Sequence, residues 1–273
     1  MSGPAPRTRP PAVAGRFYPR DPAELAATVD RLLDAVELPA VEPLAPAYLV
    51  PHAGYRFSGP TAAQVFARLR RHAAGVRRVV LVGPAHFVPA TGCVAAAGPA
   101  AWATPLGELP VEDPTWLAGH GVTVDDRPHA PEHSLEVQLP FLQRALGRPV
   151  PVLPMVVGPA PPEAVADCLA AAAADAGAGP GTVVLCSSDL SHYLDQAAAR
   201  AADDRTAAAI EALAADRIGP RSACGAYALR GLLSWARGTG LDPELLDLCT
   251  SADTAGDPTR VVGYAAFAFH HAT

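Results

Sequence analysis

The chain contains no lysine, so all 21 of its basic residues are arginine. Without a lysine amine no side-chain Schiff base can form, which excludes a lysine-anchored pyridoxal enzyme. The sequence also lacks the phosphate-binding motif GxxxxGK(S/T) and the dinucleotide-binding motif GxGxxG, which are usual signatures of nucleotide sites. It has no GxSxG segment either, and a serine hydrolase is therefore a poor fit.

Further absences concern partners and location. No apolar stretch reaches the roughly 18 residues that a membrane-spanning helix needs, and the N-terminal segment lacks the apolar core of a signal peptide. We therefore expect a cytoplasmic protein with no membrane partner. The formal net charge is −6 and the longest basic block is Arg70-Arg71-His72, which argues against a nucleic-acid partner. The five cysteines form no C-x-x-C pair, so we expect reduced, mostly buried thiols rather than a structural zinc site.

The features that are present indicate a single α/β domain. A length of 273 residues and a hydrophobic content of 50% allow one large core. Apolar, strand-like runs alternate with segments of helical periodicity, the first of which begins at the N-cap candidate Asp21 followed by Pro22. We expect residues 1–20 to form an extended arm, residues 21–273 to form one domain around a mostly buried sheet, and Val261–Phe269 to be an interior strand.

Three of the apolar runs lead directly into side chains that can carry chemistry. The first ends at His52, the second at His86 and the third at Asp189, with His192 three residues further on. Ligands of open α/β sheets bind at the carboxyl ends of strands. Imidazoles and a carboxylate brought there from separate segments predict a metal or acid–base site. The alternative for each histidine is a helix cap or a hydrogen bond to a backbone carbonyl.

The segment PHAPEHSLEVQLPFL carries two more histidines, His129 and His133, at the i, i+4 spacing of a helical zinc site. Pro131 argues against a continuous helix there, because it disfavours helical backbone in the residue before it. The helix is expected to start just after His133, with Glu136 near its N-terminus. His133 and Glu136 would then be a ligand and its orienting partner, or an acid–base pair. The alternative is an ordinary helix start with an exposed histidine.

Two polar turns each have more than one expected role. Asp189 and His192 share the turn SSDLSHY, where the pair could orient a neighbouring ligand, act as a general base or cap the next helix. The acidic segment at residues 247–257, before the last strand, is read as a loop. It is either a plain turn or the source of a third metal ligand.

With these segments in hand, the chain resembles the Memo family, whose microbial members are also called AmmeMemoRadiSam system protein B. The resemblance covers nearly the whole length and rests on PAVAGRFYP, PHAGYRFSGP, GPAHF, TPLGELPV, EHSLEVQLPFL, SSDLSHY and the terminal VVGYAAFAF. It implies a fold similar to that of class III extradiol dioxygenases, which use non-haem Fe(II). The expected architecture is an αβ-sandwich around a central sheet, with a metal site in a cleft.

The resemblance also implies roles for individual residues. It supports His52 and His86 as two imidazole ligands, and it places His133, Asp189 and His192 around the same cleft. Animal members supply a cysteine as the third ligand, shortly before the terminal YAA segment. The corresponding stretch of this chain, SADTAGDPTRVVGYAA, contains no cysteine.

Counting back from Tyr264 places Asp253 or Thr254 nearest the position of that missing ligand, while the nearest thiol, Cys249, is several residues further away. An aspartate would complete two histidines and one carboxylate, the facial arrangement of non-haem Fe(II) oxygenases. The leading hypothesis is therefore an Fe(II)-dependent oxidoreductase of dioxygenase type, in which Asp253 completes the metal site. His192 or His133 would serve as the acid–base group, and copper or zinc are alternative ions.

Two rival hypotheses remain open at this stage. One is a non-catalytic adaptor whose degenerate cleft binds a metal or a peptide, and the other is a zinc-dependent hydrolase. The substrate, a small molecule or a peptide, is not identified by the sequence. The microbial family name implies protein partners of radical-SAM and AMMECR type in a shared modification pathway.

Overall fold

The computed structural model describes residues 8–98, 100–174 and 181–271, so the first seven residues of the expected arm lie outside the described part. The strands are β1 (Thr8–Arg9), β2 (Ala47–Val50), β3 (Arg78–Pro84), β4 (Val94–Ala96), β5 (Ala101–Thr104), β6 (Gly107–Pro110), β7 (Val122–Val124), β8 (Val152–Val157), β9 (Thr182–Ser187), β10 (His192–Leu194), β11 (Leu241–Thr250) and β12 (Val261–His271). The helices are α1 (Pro22–Asp34), α2 (Tyr55–Arg71), α3 (Leu139–Leu146), α4 (Pro162–Ala173), α5 (Gln196–Glu211), α6 (Ala226–Thr239) and α7 (Ser251–Thr254). Short 3-10 helices lie at Pro114–His120, Glu136–Gln138 and Ala215–Arg217.

The first helix forms where its capping signals predict. The Asp21 side chain accepts a hydrogen bond from the backbone N–H of Glu24 at 2.9 Å, and proline occupies the first turn of α1. Such a cap satisfies one of the N–H groups that have no partner within the helix. Leu25, Val29 and Leu33 recur at helical spacing and are fully buried, so one face of α1 packs into the core.

A nine-stranded mixed sheet forms the centre of the molecule. Four parallel strands lie in its middle in the order β2, β9, β3, β8, and their side chains are almost all buried. Such continuous apolar runs are typical of parallel strands covered on both faces. At one edge β4 pairs with β8 and β7, and at the other β12 pairs with β2, β10 and β11. The interior strand expected at Val261–Phe269 is thereby confirmed as part of β12.

Helices cover both faces of this sheet. The first hydrophobic core contains the buried sides of α1, α2 and α3, and the second contains those of α4, α5 and α6. The expected α/β sandwich around a buried central sheet is therefore confirmed. None of the described helices has the length and apolar content to cross a membrane.

The described part of the N-terminal arm is fixed to the domain by Glu136. Its carboxylate accepts hydrogen bonds from Arg9 Nη1 at 2.7 Å, the backbone N–H groups of Ala12 and Val13 at 2.8 and 2.9 Å, and the Tyr18 hydroxyl at 2.7 Å. The Glu136 side chain is fully buried, so these donors depend on its carboxylate as their hydrogen-bond acceptor. Glu136 therefore anchors the arm rather than pairing with His133 as the sequence suggested.

β11 replaces part of the loop that the sequence predicted at residues 247–257. It pairs with β12 along its whole length, from Leu241 opposite His271 to Thr250 opposite Gly263. Most of its side chains are partly or fully exposed, so backbone pairing rather than a buried face defines this strand. A pattern of hydrophobic residues does not reveal such a strand.

Candidate metal centre

The carboxyl ends of β2, β9 and β3, which are neighbours in the sheet, open into one cleft. His52, Asp189 and His86 each follow the last residue of their strand by two positions. Because parallel strands end on the same side of a sheet, this identical offset brings the three side chains to one edge. The cleft has a volume of about 1400 Å³ and is also lined by His133 and His192.

Three imidazoles meet in this cleft. His52, His86 and His133 each offer one ring nitrogen, and the three nitrogens lie within 4.8 Å of one another. The ring centroids are 5.2 Å apart for His52 and His86, 5.4 Å for His52 and His133, and 4.7 Å for His86 and His133. Imidazole nitrogens at such separations can converge on one ion, since histidine is the commonest protein ligand of transition metals.

Hydrogen bonding selects the tautomer of His52. The hydroxyl of Ser187 donates its single proton to the Ser134 carbonyl at 2.7 Å, so it accepts from Nδ1 of His52 at 2.9 Å. Nδ1 therefore carries the proton, and Nε2 keeps a lone pair facing the sulfur of Cys224 at 3.2 Å. Burial and the neighbouring imidazoles lower the pKa of His52 well below its ordinary value. The ring is neutral, which is the form that binds metals.

Glu132 fixes His86 in the same way. Its carboxylate accepts from ring Nδ1 of His86 at 2.9 Å and from the backbone N–H groups of His86, His133 and Ser134 at 2.6, 2.9 and 2.9 Å. Burial alone would raise the pKa of Glu132, but the hydrogen bonds from His86 and Ser134 outweigh it and lower that pKa to about 2. An ionised carboxylate can only accept hydrogen bonds, so Nδ1 of His86 carries the proton and Nε2 is the nitrogen available to a metal. A carboxylate behind a metal-binding histidine is a recurrent arrangement in metal sites.

His133 completes the cluster from the opposite side. It belongs to the segment that crosses the strand ends just before α3, where the hydroxyl of Ser134 donates to the Pro84 carbonyl at the end of β3. Burial lowers the pKa of His133 to about 4, so this ring is also neutral. Its buried Nδ1 lies 3.2 Å from the Glu132 carboxylate but is not aligned for a hydrogen bond, and the ring packs against Phe17 of the arm with centroids 4.6 Å apart. A neutral imidazole beside two others and a carboxylate suits a metal ligand.

Asp189 and Cys224 lie beside His52. Asp189 accepts the backbone N–H of His52 at 2.7 Å, and burial raises the pKa of its carboxyl to about 6. The backbone N–H of Asp189 donates to the Cys224 sulfur at 3.3 Å. Burial and the nearby Asp189 carboxylate raise the pKa of the Cys224 thiol to about 12. The thiol is therefore protonated and can donate to Nε2 of His52.

His192 lines the cleft without belonging to the three-histidine cluster. Its Nδ1 lies 2.8 Å from the Leu190 carbonyl, which can only accept, so Nδ1 is protonated and Nε2 keeps a lone pair. The Leu190 carbonyl rather than Asp189 thus orients this ring. Its free nitrogen can take up and return a proton.

Asp253, the expected third ligand, lies outside the cluster. Its carboxylate accepts from the backbone N–H and hydroxyl of Thr250 at 2.7 and 2.9 Å, capping α7, and forms an ion pair with Arg200 at 2.6 Å. Its lone pairs are thus engaged at the helix start, and His133 takes its place as the third member of the cluster. Thr254 donates its hydroxyl proton to the Phe57 carbonyl at 2.9 Å.

His129 also lies outside the cluster. Its ring is buried, Nε2 lies 3.0 Å from the Ala95 carbonyl, and it packs edge-on against Trp102. The i, i+4 spacing of His129 and His133 therefore does not create a shared site, in keeping with the helix interruption expected at Pro131.

Sequence reasoning missed two residues of the site, Glu132 and Cys224. Glu132 directly precedes His133 in the histidine-rich segment, so a search for a carboxylate adjacent to candidate ligands could have found it. Cys224 had no such signal: it lies 172 positions from His52, just before α6, and only the fold brings its sulfur to the imidazole.

Comparisons with known proteins show which sequences this chain is similar to. The sequence profile of the family described as Memo-like protein matches residues 9–268. A MEMO1 family protein of Methanococcoides burtonii is 35% identical over 94% of this chain and 98% of its own length. Similar proteins of the same name from Ignicoccus hospitalis and Aquifex aeolicus are 36% and 34% identical, each over 96% of this chain and over 98% and 99% of their own lengths.

Proposed function

This chain belongs to the Memo family, and we propose that it is a metal-dependent enzyme whose ion is held by His52, His86 and His133. The observation that carries the proposal is the convergence of three imidazole nitrogens within 4.8 Å at the carboxyl edge of the sheet. A histidine with a purely structural role would not explain three imidazole rings that face one another in an open cleft.

The donor set fits a first-row divalent ion. Two of the rings have a lone pair fixed on Nε2 by their Nδ1 partners, and the Glu132 carboxylate supplies negative charge behind His86. Imidazole suits iron, zinc, copper and nickel. We propose Fe(II), because three imidazole ligands leave further coordination positions open to the cleft for O₂ or a substrate. The set differs from the facial site of non-haem iron oxygenases in having a third histidine instead of a carboxylate, and three histidines are also a known zinc set. Zinc and copper are the alternatives that a metal titration distinguishes.

The residues around the centre provide the remaining functions. The bound ion would supply Lewis-acid and redox chemistry to a molecule in the cleft. His192 would accept or return a proton at Nε2, since the Leu190 carbonyl holds its other nitrogen protonated. Asp189 would hold the backbone of His52 in place. Small-molecule oxidation of dioxygenase type is the reaction class we propose, and protein partners of radical-SAM and AMMECR type stay a prediction.

The ligand assignment is tested by metal analysis of the full chain purified anaerobically, followed by Fe(II), Zn²⁺ and Cu(I) titration. We expect one tightly bound ion, lost in His86→Ala and His133→Ala and retained in Asp253→Ala. Glu42, Glu244 and His270 form a second group with ligand atoms within 4.8 Å of one another, so His270→Ala is the matched control for stoichiometry. Loss of the ion in Asp253→Ala, or in His270→Ala alone, would refute the assignment.

Catalysis is tested with the iron-loaded chain by a screen for substrate-dependent O₂ uptake. His192→Ala should keep the metal and slow turnover by about 10²–10⁴-fold, the usual contribution of a general acid or base. Metal loss in this variant would make His192 a ligand. Hydrolysis by the zinc-loaded chain without O₂ uptake would instead support a zinc hydrolase.

A further inference from the structure

The cleft that contains the three imidazoles is rich in arginine, although the whole chain has a net charge of −6. Its five arginines are Arg56, Arg205, Arg217, Arg221 and Arg260. Among the residues that the structure describes, two carboxylates line the same cleft, those of Asp189 and Asp257. When its histidines are counted as neutral, the described lining therefore has a formal charge of +3, so positive charge is concentrated in the cleft that contains the three imidazoles.

The cleft arginines also lack the ion pairs that many other arginines of the described chain form. Seven arginines elsewhere in the described chain form ion pairs with carboxylates, and none of these seven lines the cleft. The five cleft arginines form neither an ion pair nor a side-chain hydrogen bond within the residues that the structure describes. A guanidinium has five N–H donors in a planar fork that matches carboxylate and phosphate oxygens. These donors are available to a ligand.

One of the five arginines is held by a strained residue. Tyr193 has φ of 62°, in the left-handed region that residues other than glycine rarely adopt, and its side chain is 63% exposed. The guanidinium of Arg260 lies 4.4 Å from the centre of its ring. This cation–π contact places the Arg260 guanidinium at the cleft beside an exposed aromatic ring.

We propose that the cleft binds an organic anion, whose carboxylate or phosphate group is held by these arginines while another part of the molecule reaches the three imidazoles. The inference deepens the proposed function. It rests on that function only for the part of the ligand that reaches the metal. The positive lining attracts anions from solution. A volume of about 1400 Å³ exceeds the roughly 300–1,000 Å³ of many small-molecule sites, so both groups of such a ligand fit.

The test is calorimetric titration of the full chain with citrate and with inorganic phosphate at low ionic strength, before and after metal removal by a chelator. The cleft variant is Arg205→Gln with Arg221→Gln. Its matched control is Arg31→Gln with Arg237→Gln, which removes two exposed arginines that do not line the cleft. We expect the cleft variant to bind at least one anion tenfold or more weakly, and the control to change binding less than threefold. Whichever anion binds more tightly identifies the recognised group.

Other outcomes separate this inference from the proposed function. Equal weakening in both double variants, or no binding of either anion by the unaltered chain, would overturn the arginine site. Binding that disappears with the metal and is unaffected in the cleft variant would place the anion on the ion, and would leave the metal-dependent function standing. If the chain takes up no ion in the Fe(II), Zn²⁺ and Cu(I) titrations, yet the cleft variant loses anion binding, the result would support this inference and overturn the metal-dependent function.

Discussion

Replacement of Glu132 by glutamine should weaken metal binding without abolishing the site. Oε1 of Glu132 accepts from the His86 ring and from the backbone N–H groups of His133 and Ser134, while Oε2 accepts from the backbone N–H of His86. A glutamine oxygen in the Oε1 position keeps three of these bonds. Its NH₂ group then faces the backbone N–H of His86, so two hydrogen-bond donors oppose each other without an acceptor. One unsatisfied buried donor costs about 1–3 kcal/mol of folding free energy.

Loss of the carboxylate charge also acts on the metal. A neutral amide polarises the Nδ1–H of His86 less and holds the ring less firmly, and removal of such a partner usually weakens metal affinity about 10–100-fold. That corresponds to about 1.4–2.8 kcal/mol. The affinity is measured by anaerobic Fe(II) titration, and the stability of the metal-free chain by urea unfolding.

Glu136→Gln is the matched control for Glu132→Gln. Glu136 lies four positions away and is equally buried, but its carboxylate holds the arm instead of a ligand. We expect this variant to lose stability and to keep metal affinity within about threefold. Unchanged metal affinity in Glu132→Gln, or an equal loss in both variants, would refute the argument that the Glu132 carboxylate supports the metal ligands.

The remaining predictions concern stability, measured by urea unfolding. Glu136→Ala should lower the free energy of unfolding by about 3–5 kcal/mol, because it leaves Arg9 and three further donors without their buried acceptor; a loss below 1 kcal/mol would contradict this. Gly231→Ala should cost about 1–3 kcal/mol, because its Cβ would lie 2.2 Å from Val165 where α6 packs on α4. Gly238→Ala, later in the same helix with no atom within 4 Å, should instead stabilise by about 0.5–1 kcal/mol. Asp253→Ala should cost about 1 kcal/mol through loss of the α7 cap.

Elements with a strong local signal were predictable from the sequence. The cap at Asp21, the four central strands and the buried strand β12 each carry their own apolar pattern or capping chemistry. The strand β11 carries neither signal, because most of its side chains are partly or fully exposed and its pairing with β12 defines it. Pairing between strands that are distant in the chain cannot be predicted from a single sequence.

The same distinction applies to the site. His52, His86 and Asp189 share an offset of two residues from the ends of parallel strands, so their convergence follows from the general rule for α/β sheets. The Asp253 hypothesis depended instead on counting along an irregular segment. In the sequence, an aspartate that caps a helix cannot be told from an aspartate that binds a metal. Only the positions of Thr250 and Arg200 show how this carboxylate is used.

One short segment connects the metal centre with the N-terminal arm. Glu132 holds His86 and the backbone of His133, whereas Glu136, one helical turn later, holds the arm. The arm returns to the centre through Phe17, which packs on the His133 ring. Any coupling between the arm and the metal through this contact would be equal in both directions, and the prediction for Glu136→Gln limits it to about threefold, or about 0.7 kcal/mol. The two glutamates therefore have separate roles in this segment: Glu132 supports the imidazoles and Glu136 supports the arm.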